Sequence, residues 1–297
     1  MVGADVYLLH CAPLDPVPPP AGRERRAVSS VERLTFVPQV FTAGDWYDAP
    51  HVEPGRRVDV RLVTWNAWFG GHMFEDRCDA LLAELQRRRA DVIALQEVTP
   101  ALLRALLDAP WIRASYQASQ CEVTSYDVLI LSRLTIRRLA QLELPTEMDR
   151  RLLVAELACG LAVATVHLES TREEAQARAA QLRIIQPALA RYPDVALVGD
   201  MNFQPDDPVE NAVLDPSLVD TWPALRPGEP GYTVDTDVNT MRLQVRSTPT
   251  HKRIDRVFLR SSHWQARSIE LIGTRPIAPG GTFISDHFGL ETVLTAA

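Results

Sequence analysis

The sequence VALVGDMN at residues 195–202 joins a short apolar run, rich in β-branched residues, to the polar group Gly-Asp-x-Asn. An apolar run of this length predicts a buried β-strand, and the glycine that follows it predicts where the strand ends. In α/β proteins the polar side chains that bind ligands collect at strand ends. Residues 195–202 therefore predict a strand that delivers Asp200 and Asn202 to a functional site.

The same pattern recurs through most of the chain and alternates with helical periodicity. The run from Cys78 to Leu85 has apolar residues at helical spacing, Thr99-Pro100 reads as a helix cap and first turn, and residues 175–189 form a third amphipathic stretch. This alternation is typical of the α/β class. The predicted strands are 58–65, 91–96, 127–131, 152–157, 161–167, 195–198, 254–259 and 288–294.

The composition of the chain limits the classes of function that it can have. Its 297 residues carry a formal net charge of −7, which argues against coating nucleic acid by charge alone, because such binding needs many phosphate-neutralising side chains. No apolar run is long enough for a membrane-spanning helix, so no membrane partner is predicted. Residues 1–10 lack the pattern of a secretory signal, and we therefore expect a cytoplasmic protein.

The first 55 residues differ from the rest of the chain. They contain a proline-rich run at 13–20 and a basic patch at 23–26, and only the segment 34–37 has the composition of a strand. We predict an N-terminal extension at 1–55, whose role the sequence does not indicate, and a catalytic domain at 56–297.

Five short polar segments each follow or interrupt an apolar strand. A single residue of this kind would usually be a turn former or a helix cap. Five in succession indicate a shared site. The segments are Thr64-Trp65-Asn66, Leu95-Gln96-Glu97-Val98, His167-Leu168-Glu169-Ser170-Thr171-Arg172, Gly199-Asp200-Met201-Asn202 and Ser285-Asp286-His287.

The side chains in these segments suit hydrolysis of a phosphate ester. Glu97 is the best candidate ligand for a hard cation such as Mg²⁺, which binds carboxylates together with phosphate oxygens. Asp200 can orient and deprotonate an attacking water. His167, Asn202 and His287 can donate to the oxygens on which charge develops. The carboxylate that precedes His287 either orients the imidazole or joins the metal shell.

In this order the five segments resemble the signature of the endonuclease/exonuclease/phosphatase superfamily, over residues 58–297. The resemblance implies the α/β fold of that superfamily, which is DNase I-like: two packed mixed β-sheets flanked by helices, in a four-layer α/β/β/α sandwich. It also implies a metal-dependent phosphodiesterase, a nuclease-like hydrolase with Mg²⁺ as cofactor and Mn²⁺ as the alternative.

Three stretches, 167–172, 232–239 and 253–258, further resemble the tyrosyl-DNA phosphodiesterases that act on 5′ ends. This closer resemblance implies a nucleic-acid end as substrate, a 5′-phosphotyrosyl bond as the phosphoester that is cut, and a role in DNA repair. The implied metal ligands are Glu97, Asn66 and Asp286, and the implied catalytic residues are Asp200, His287, His167, Asn202 and Asp286. The predicted substrate contacts are Ser170, Arg172, Asn66 and Tyr232, together with Trp68, which is close to Asn66 in sequence, and Gln204, which stands at a substrate position of the family motif.

Two positions depart from the pattern of that family. Gln204 stands where the family has an arginine, and Val234 stands where it has a tryptophan. Charge and stacking are the usual means of holding a single strand, so these departures concern the substrate rather than the metal. One alternative is therefore another activity of the superfamily: an abasic-site endonuclease, a ribonucleotide phosphodiesterase or a small phosphoester hydrolase. A catalytically silent binding module is the alternative of another class.

Overall fold

The computed structural model describes residues 33–49, 58–244 and 247–297. The strands are β1 (Arg33–Phe36), β2 (Gln39–Thr42), β3 (Asp45–Asp48), β4 (Asp59–Asn66), β5 (Val92–Val98), β6 (Gln117–Ala118), β7 (Asp127–Ser132), β8 (Ile136–Glu143), β9 (Arg151–Leu157), β10 (Ala162–His167), β11 (Val195–Asp200), β12 (Val219–Asp220), β13 (Val234–Asp235), β14 (His251–Lys252), β15 (Asp255–Arg260), β16 (Trp264–Ile272) and β17 (Gly289–Ala296). The helices are α1 (Phe74–Arg88), α2 (Pro100–Asp108), α3 (Pro110–Ser115), α4 (Ala175–Leu189), α5 (Pro208–Asn211) and α6 (Thr221–Leu225), with a 3₁₀ helix at Thr240–Gln244.

Two sheets form the centre of the molecule. One has the strand order β1-β8-β9-β10-β11-β15-β12, and the other has the order β16-β17-β4-β5-β7-β6-β2-β3. Both are mixed, because β10 runs parallel to β11 and β4 runs parallel to β5, while their other ladders between described strands are antiparallel. The short strands β13 and β14 form a separate ribbon.

Alternation of side chains along the central strands builds three apolar layers. In β5, Val92 and Ala94 pack between the two sheets, whereas Ile93 and Leu95 pack against α1 and α2. In β11, Ala196 and Val198 face the other sheet, and the side chains between them face α4. Successive residues of a strand point to opposite faces, so strands that are apolar throughout must be covered on both sides. The predicted four-layer α/β/β/α sandwich is confirmed.

The predicted elements are confirmed with shifts of one or two residues at their ends. All eight predicted strands are present, as β4, β5, β7, β9, β10, β11, β15 and β17. Thr99 caps α2 through its hydroxyl, which accepts a hydrogen bond from the Leu102 amide, and α4 covers Ala175–Leu189 as predicted. Among the described residues, no helix combines the length and apolarity needed to cross a bilayer.

Part of the predicted N-terminal extension belongs to the sandwich. The predicted strand at 34–37 is confirmed as β1, which pairs with β8 in the first sheet. The β2–β3 hairpin joins the second sheet through β6. Residues 33–48 therefore contribute strands to both sheets, and the division of the chain at residue 55 stays a prediction. The proline-rich run 13–20 and the basic patch 23–26 lie outside the described residues.

Candidate active site

Strand pairing brings the polar segments to one edge of the sandwich. His167 at the end of β10 pairs with Asp200 at the end of β11, and Asp200 pairs in turn with Asp255 at the start of β15. In the other sheet, Asn66 at the end of β4 lies beside Gln96 of β5. Parallel strands bring their carboxyl ends to the same edge, so residues far apart in sequence meet there.

Strained backbone accompanies the site. Glu97, Asn202 and Trp68 have φ values of 58°, 53° and 59°, in the left-handed region that costs a non-glycine residue about 1–2 kcal/mol. At Glu97 this conformation coincides with an irregularity in the pairing of β5 with β7, between Leu95 and Val98. Such bulges redirect a side chain, and here Glu97 turns toward Asn66.

Asn66 bridges the two central carboxylates. Its Nδ2 donates to Glu97 Oε1 and to Asp200 Oδ2, both at 3.0 Å, while its Oδ1 accepts from the Trp68 amide. The second oxygen of Glu97 accepts from the Phe69 amide at 2.8 Å. Asn66 thus presents its nitrogen, not its oxygen, to the carboxylates. This arrangement suits a residue that positions Glu97 and Asp200 better than it suits the predicted metal ligand, because a cation is bound through oxygen.

His167 lies on the other side of Asp200. Its Nε2 is 3.3 Å from Asp200 Oδ2, and its Nδ1 is 2.9 Å from the Arg150 guanidinium. Burial and the charge of Arg150 lower the pKa of His167 well below its usual value. The imidazole is therefore neutral at neutral pH. Because Arg150 only donates, Nδ1 accepts and Nε2 carries the proton that faces Asp200.

His287 forms a tight pair with a carboxylate that the sequence reasoning did not select. Its Nδ1 is 2.8 Å from Asp255 Oδ2 and 4.0 Å from Asp200 Oδ2. Burial acts to lower the pKa of His287, but the attraction of Asp255, Asp286 and Asp200 outweighs it and raises the pKa to about 10. His287 is therefore a buried imidazolium, and Asp255 is the residue that orients it. Asp286, which was one predicted partner, has its Oδ1 4.0 Å from His287 Nε2.

The charges around Asp200 keep it ionised. Burial acts to raise its pKa, but His167, His287 and hydrogen bonds from the Asn202 and Asn66 nitrogens outweigh burial, so that the pKa falls below its ordinary value. Since His167 is neutral, the imidazolium of His287 supplies the cationic part of this effect. Asp200 is thus an ionised carboxylate, and accepts hydrogen bonds, throughout the physiological pH range.

Glu97 and Asp286 are two acidic groups at the site that lie close enough for their charges to interact. Burial, and then the charge of Asp286, raise the pKa of Glu97. Both side chains are just accessible, at 9% and 8% exposure, whereas Asp200 is 2% exposed. A bound cation would offset the repulsion between two such poorly solvated carboxylates. The donor set therefore fits a hard divalent ion, which prefers oxygen ligands.

A second group of side chains is close enough to hold an ion, but its chemistry fits less well. Ligand atoms of Asp200, Asp255 and His287 lie within 4.8 Å of one another. The imidazolium of His287 already neutralises these carboxylates through its hydrogen bond to Asp255. Metal binding would require that proton to leave. By this chemistry, Glu97 and Asp286 suit a cation better than this group does.

Two of the residues predicted to contact the phosphate, Asn202 and Ser170, lie together at one corner of the site. Asn202 Nδ2 donates to Leu168 O at 3.1 Å and lies 3.4 Å from Ser170 Oγ, and Arg150 donates to the same hydroxyl at 2.8 Å. Arg172, predicted as the brace here, is exposed on the loop that follows β10. Arg150 occupies the bracing position instead. Arg150 could not be predicted from the sequence, because it lies outside the five polar segments.

A buried carboxylate holds the loop that carries Arg150. Glu169 accepts hydrogen bonds from the Thr146 hydroxyl at 2.6 Å and from the Glu147 amide at 3.0 Å. Arg178, in an ion pair with Glu210, donates to the Glu169 carbonyl from the other side. These contacts link the His167–Arg172 segment to the Arg150 loop, which explains why a glutamate follows the histidine by two residues in that motif.

Aromatic side chains border the site next to Glu97. Phe69 is half exposed and stacks on Tyr126 with ring centroids 5.3 Å apart. The Arg150 guanidinium lies 5.4 Å from the centre of the Tyr126 ring. The half-buried indole of Trp68 packs under the Arg77 guanidinium, at 4.4 Å. Arg77 also donates to several carbonyls of this loop and to Ile284 O, so it ties the Asn66–Trp68 loop to the Ser285–His287 segment.

The remaining predicted substrate contacts lie at the opposite flank. Tyr232 is half buried beside His251, with ring centroids 5.6 Å apart, and Gln204 is half buried on the loop after β11. Val234 is only 1% exposed, in the β13–β14 ribbon. A tryptophan would therefore not fit at Val234 without displacing its neighbours. Residues Arg242 and Asp286 meet on the same flank, at 3.4 Å.

Comparison with known proteins agrees with this geometry. The model of the "Endonuclease/Exonuclease/phosphatase family" matches residues 63–287. Tyrosyl-DNA phosphodiesterase 2 of Homo sapiens is 30% identical over 246 residues, which cover 77% of this chain and 66% of the relative. The Mus musculus enzyme of the same name is 29% identical over 249 residues, which cover 79% of this chain and 66% of the relative. The chain thus spans just under two thirds of the length of these relatives.

Solved structures show the same fold. TDP2 of D. rerio, complexed with single strand DNA product, superposes with a TM-score of 0.71 at 27% identity, covering 80% of this chain and 99% of that one. The human Nocturnin catalytic domain shares the fold at 18% identity with a TM-score of 0.62, covering 82% of this chain and 96% of that one. With a family model that covers most of the sandwich and the site, this chain belongs to the endonuclease/exonuclease/phosphatase family.

Proposed function

We propose that the protein is a metal-dependent hydrolase that cuts 5′-phosphotyrosyl bonds at DNA ends. One observation carries the proposal. A water-orienting carboxylate, a buried imidazolium and an acidic pair suited to a cation converge at one edge of the sandwich, next to an exposed aromatic surface. The first three features serve phosphodiester hydrolysis in general, and the fourth favours an aromatic leaving group.

Glu97 and Asp286 would hold the ion, and Asn66 would keep Glu97 in place. Mg²⁺ fits this oxygen-rich pair, and Mn²⁺, which accepts the same ligand types, is the alternative. When bound, such an ion neutralises charge on the phosphate and polarises the bond to be broken. Arg242, which contacts Asp286 from the 3₁₀ helix, would fix the orientation of that carboxylate.

The remaining polar residues act directly on water and phosphate. Asp200, held ionised, accepts a hydrogen bond from the attacking water and orients it. His287, held protonated by Asp255, donates to a phosphate oxygen on which negative charge grows. Asn202 and Ser170 offer an amide and a hydroxyl at the corner braced by Arg150. No side chain needs to become covalently attached to the substrate.

The aromatic surface suits the tyrosyl group that leaves. Tyr126 and Phe69 offer ring faces within reach of Glu97, since the Phe69 amide donates to its carboxylate. A phenol has a pKa of about 10, far below that of an alkyl alcohol, so it departs with little help from a general acid. A site without a strong acid on the leaving-group side can therefore cleave a phenolic ester.

The comparisons support a DNA end as the other half of the substrate. The relatives are named tyrosyl-DNA phosphodiesterase 2, and the D. rerio structure holds a single strand DNA product. A role in DNA repair follows from this substrate.

Gln204, in place of the arginine of the family pattern, favours the second candidate, which is another activity of the superfamily such as cleavage at abasic sites. A cytoplasmic location stays a prediction.

A substrate panel tests the proposal. Purified protein is given a 5′-phosphotyrosyl oligonucleotide, an abasic duplex, a short RNA and an inositol phosphate, each with Mg²⁺ and with excess chelator. We expect detyrosylation to be the fastest reaction and to stop in chelator. Faster abasic cleavage would replace the proposal by the second candidate. Turnover that persists in chelator would refute metal dependence, and absence of any turnover would indicate a silent binding module.

A further inference from the structure

A groove of about 970 Å³ opens beside the active site, between the β2–β3 hairpin and the loop that precedes β7. Its size lies at the upper end of the range for ligand pockets. Of its lining residues, only Tyr126 has a role in the proposed reaction. We call it the lateral groove. It is lined by Phe36, Phe41, Trp46, Arg104, Glu122 and Thr124, among others.

The lateral groove is continuous with the place where the leaving group would lie. Tyr126 lines the groove and also lies beside Arg150, whose guanidinium contacts His167 and Ser170. Asp149 and Arg151, on either side of Arg150, line the groove as well. A tyrosyl ring held against Tyr126 would therefore have its main-chain atoms at the mouth of the groove.

Strand order separates the groove from the opposite flank, which carries Tyr232 and the Ser285–His287 segment and where the DNA strand would lie. Moving from β5 across its sheet, β7, β6, β2 and β3 lead to the groove, whereas β4 and β17 lead to the Ser285–His287 segment. Tyr232 lies on that opposite flank, where Thr233 O accepts from the Phe288 amide. The two halves of the substrate thus have separate surfaces.

The charges of the groove disfavour a nucleic-acid strand. Of its arginines, Arg113 is paired with Asp108, and Arg151 lies 3.3 Å from Asp127. In all, the charged residues among the described lining are three arginines and five acidic residues, which include Asp45, Asp149 and Glu122. Binding a phosphate backbone requires an excess of cations, and here the excess is acidic. Aromatic walls with an acidic rim fit a polypeptide that carries apolar or basic side chains.

We propose that the lateral groove binds the polypeptide that continues on either side of the tyrosyl residue, so that the enzyme recognises a DNA–protein adduct through both of its halves. This inference rests on the proposed function and specifies the second half of its substrate. The aromatic side chains Phe36, Phe41 and Trp46 would contact the peptide, and Glu122 would favour basic residues near the tyrosine.

The test compares two substrates with the same oligonucleotide, one carrying tyrosine alone and one carrying a peptide with several residues, some of them arginine, on each side of the tyrosine. We expect the peptide to lower KM by about tenfold in the wild type, a change worth about 1.4 kcal/mol. Thr124→Trp, which fills the groove from an exposed position, should remove this advantage and leave cleavage of the tyrosine-only substrate unchanged. Thr124→Ser is the matched control, and Glu122→Lys should weaken the preference for arginine-containing peptides.

The possible results separate failure of the peptide groove from failure of the proposed function. Equal KM values for the two substrates in the wild type would overturn the peptide groove while leaving detyrosylation intact. If Thr124→Trp raised KM for both substrates, or weakened inhibition by a 5′-phosphorylated oligonucleotide, the groove would be a DNA surface and the inference would be wrong. If the wild type cut a simple nitrophenyl phosphodiester but neither tyrosyl substrate, the proposed function would fail and the groove assignment would fail with it.

Discussion

Two carboxylates at the centre of the site have the same neighbour, Asn66, but different surroundings. Burial and Asp286 raise the pKa of Glu97, whereas the His287 imidazolium and hydrogen bonds from Asn202 and Asn66 lower the pKa of Asp200 despite its burial. Environments that separate the pKa values of neighbouring acids are a usual sign of separate roles. The first carboxylate is suited to hold a cation, and the second is suited to hold a water.

Replacing each carboxylate by its amide should separate these roles. Glu97→Gln removes a charge from the acidic pair, so we expect the half-saturating Mg²⁺ concentration to rise, with partial recovery of the rate at high Mg²⁺. Asp200→Asn should leave that concentration nearly unchanged and lower kcat by about 10²–10⁴. The measurement is the rate as a function of Mg²⁺ concentration for both variants. An equal shift in metal dependence would show that Asp200 is also a ligand.

The buried pair of His287 and Asp255 predicts a pH dependence of stability. The folded pKa of His287, about 10, exceeds its ordinary value of 6.5, so the pair stabilises the fold fully below pH 6.5. That stabilisation is lost as the pH rises through about 10. We expect the free energy of unfolding of the metal-free protein to fall across this interval, and Asp255→Asn to flatten the change. Titration of the imidazole by NMR gives the direct check, and a value near 6.5 in the wild type would refute the pairing.

The sequence predicted the central strands better than the peripheral ones. Strands covered on both faces, such as β5 and β11, are continuous apolar runs that the sequence displays directly. β8 and β16 were missed because they mix buried residues with exposed charged ones, such as Arg137 and Arg138 in β8. Their strand character depends on neighbours in the sheet, which local patterns do not show.

The sequence predicted those site residues that lie in polar segments at the ends of strands. Asn66, Glu97, His167, Asp200 and His287 are brought together as expected. Asp255 lies in the stretch 253–258 that resembles the family, but it was not predicted as a site residue because it opens a strand instead of following one, and only the pairing of β11 with β15 places it beside Asp200. Arg150 was missed for the same kind of reason, since its contacts to His167 and Ser170 are tertiary.

The strands at 33–48 determine the effect on stability that we expect from removing the N-terminal region. β1 covers the edge of β8, and Trp46 packs against the core beside α2 and α3. Deleting residues 1–49 should therefore lower Tm and promote aggregation, because it bares a sheet edge and apolar surface. The folded fraction should still cut a simple nitrophenyl phosphodiester, since the catalytic residues lie beyond residue 58.

A point variant in the full chain serves as the control for this deletion. Thr35→Pro replaces a residue that is paired with Ala140 of β8 by one with a fixed φ and no backbone N–H, and it should lower Tm by itself. Thr35→Val, which keeps the strand, should not. An unchanged Tm for both the deletion and Thr35→Pro would show that β1 to β3 contribute nothing to stability.

An acidic protein with the proposed function would have to bind a polyanionic DNA end through a few local contacts. The net charge of −7 opposes long-range attraction, so under the proposed function affinity would depend on groups at the phosphate itself, such as His287, Arg150 and a bound cation. The strand beyond that phosphate would meet Gln204 and Tyr232, neither of which carries a positive charge. The enzyme should therefore bind DNA ends weakly for its family and depend more on the adduct.

Restoring a cation at position 204 tests this balance. Gln204→Arg adds a charge-assisted donor on the DNA flank, so it should lower KM for a 5′-phosphotyrosyl oligonucleotide and leave kcat nearly unchanged, because the new contact is equally present in the ground state and the transition state. The gain should shrink as salt concentration rises. Gln204→Met is the matched neutral control. Val234→Trp is not a suitable test of the missing aromatic contact, because Val234 is buried and the larger ring would disturb the β13–β14 ribbon. Equal KM values for the Arg and Met variants would show that position 204 does not face the strand, and a gain confined to abasic duplex would favour the endonuclease alternative.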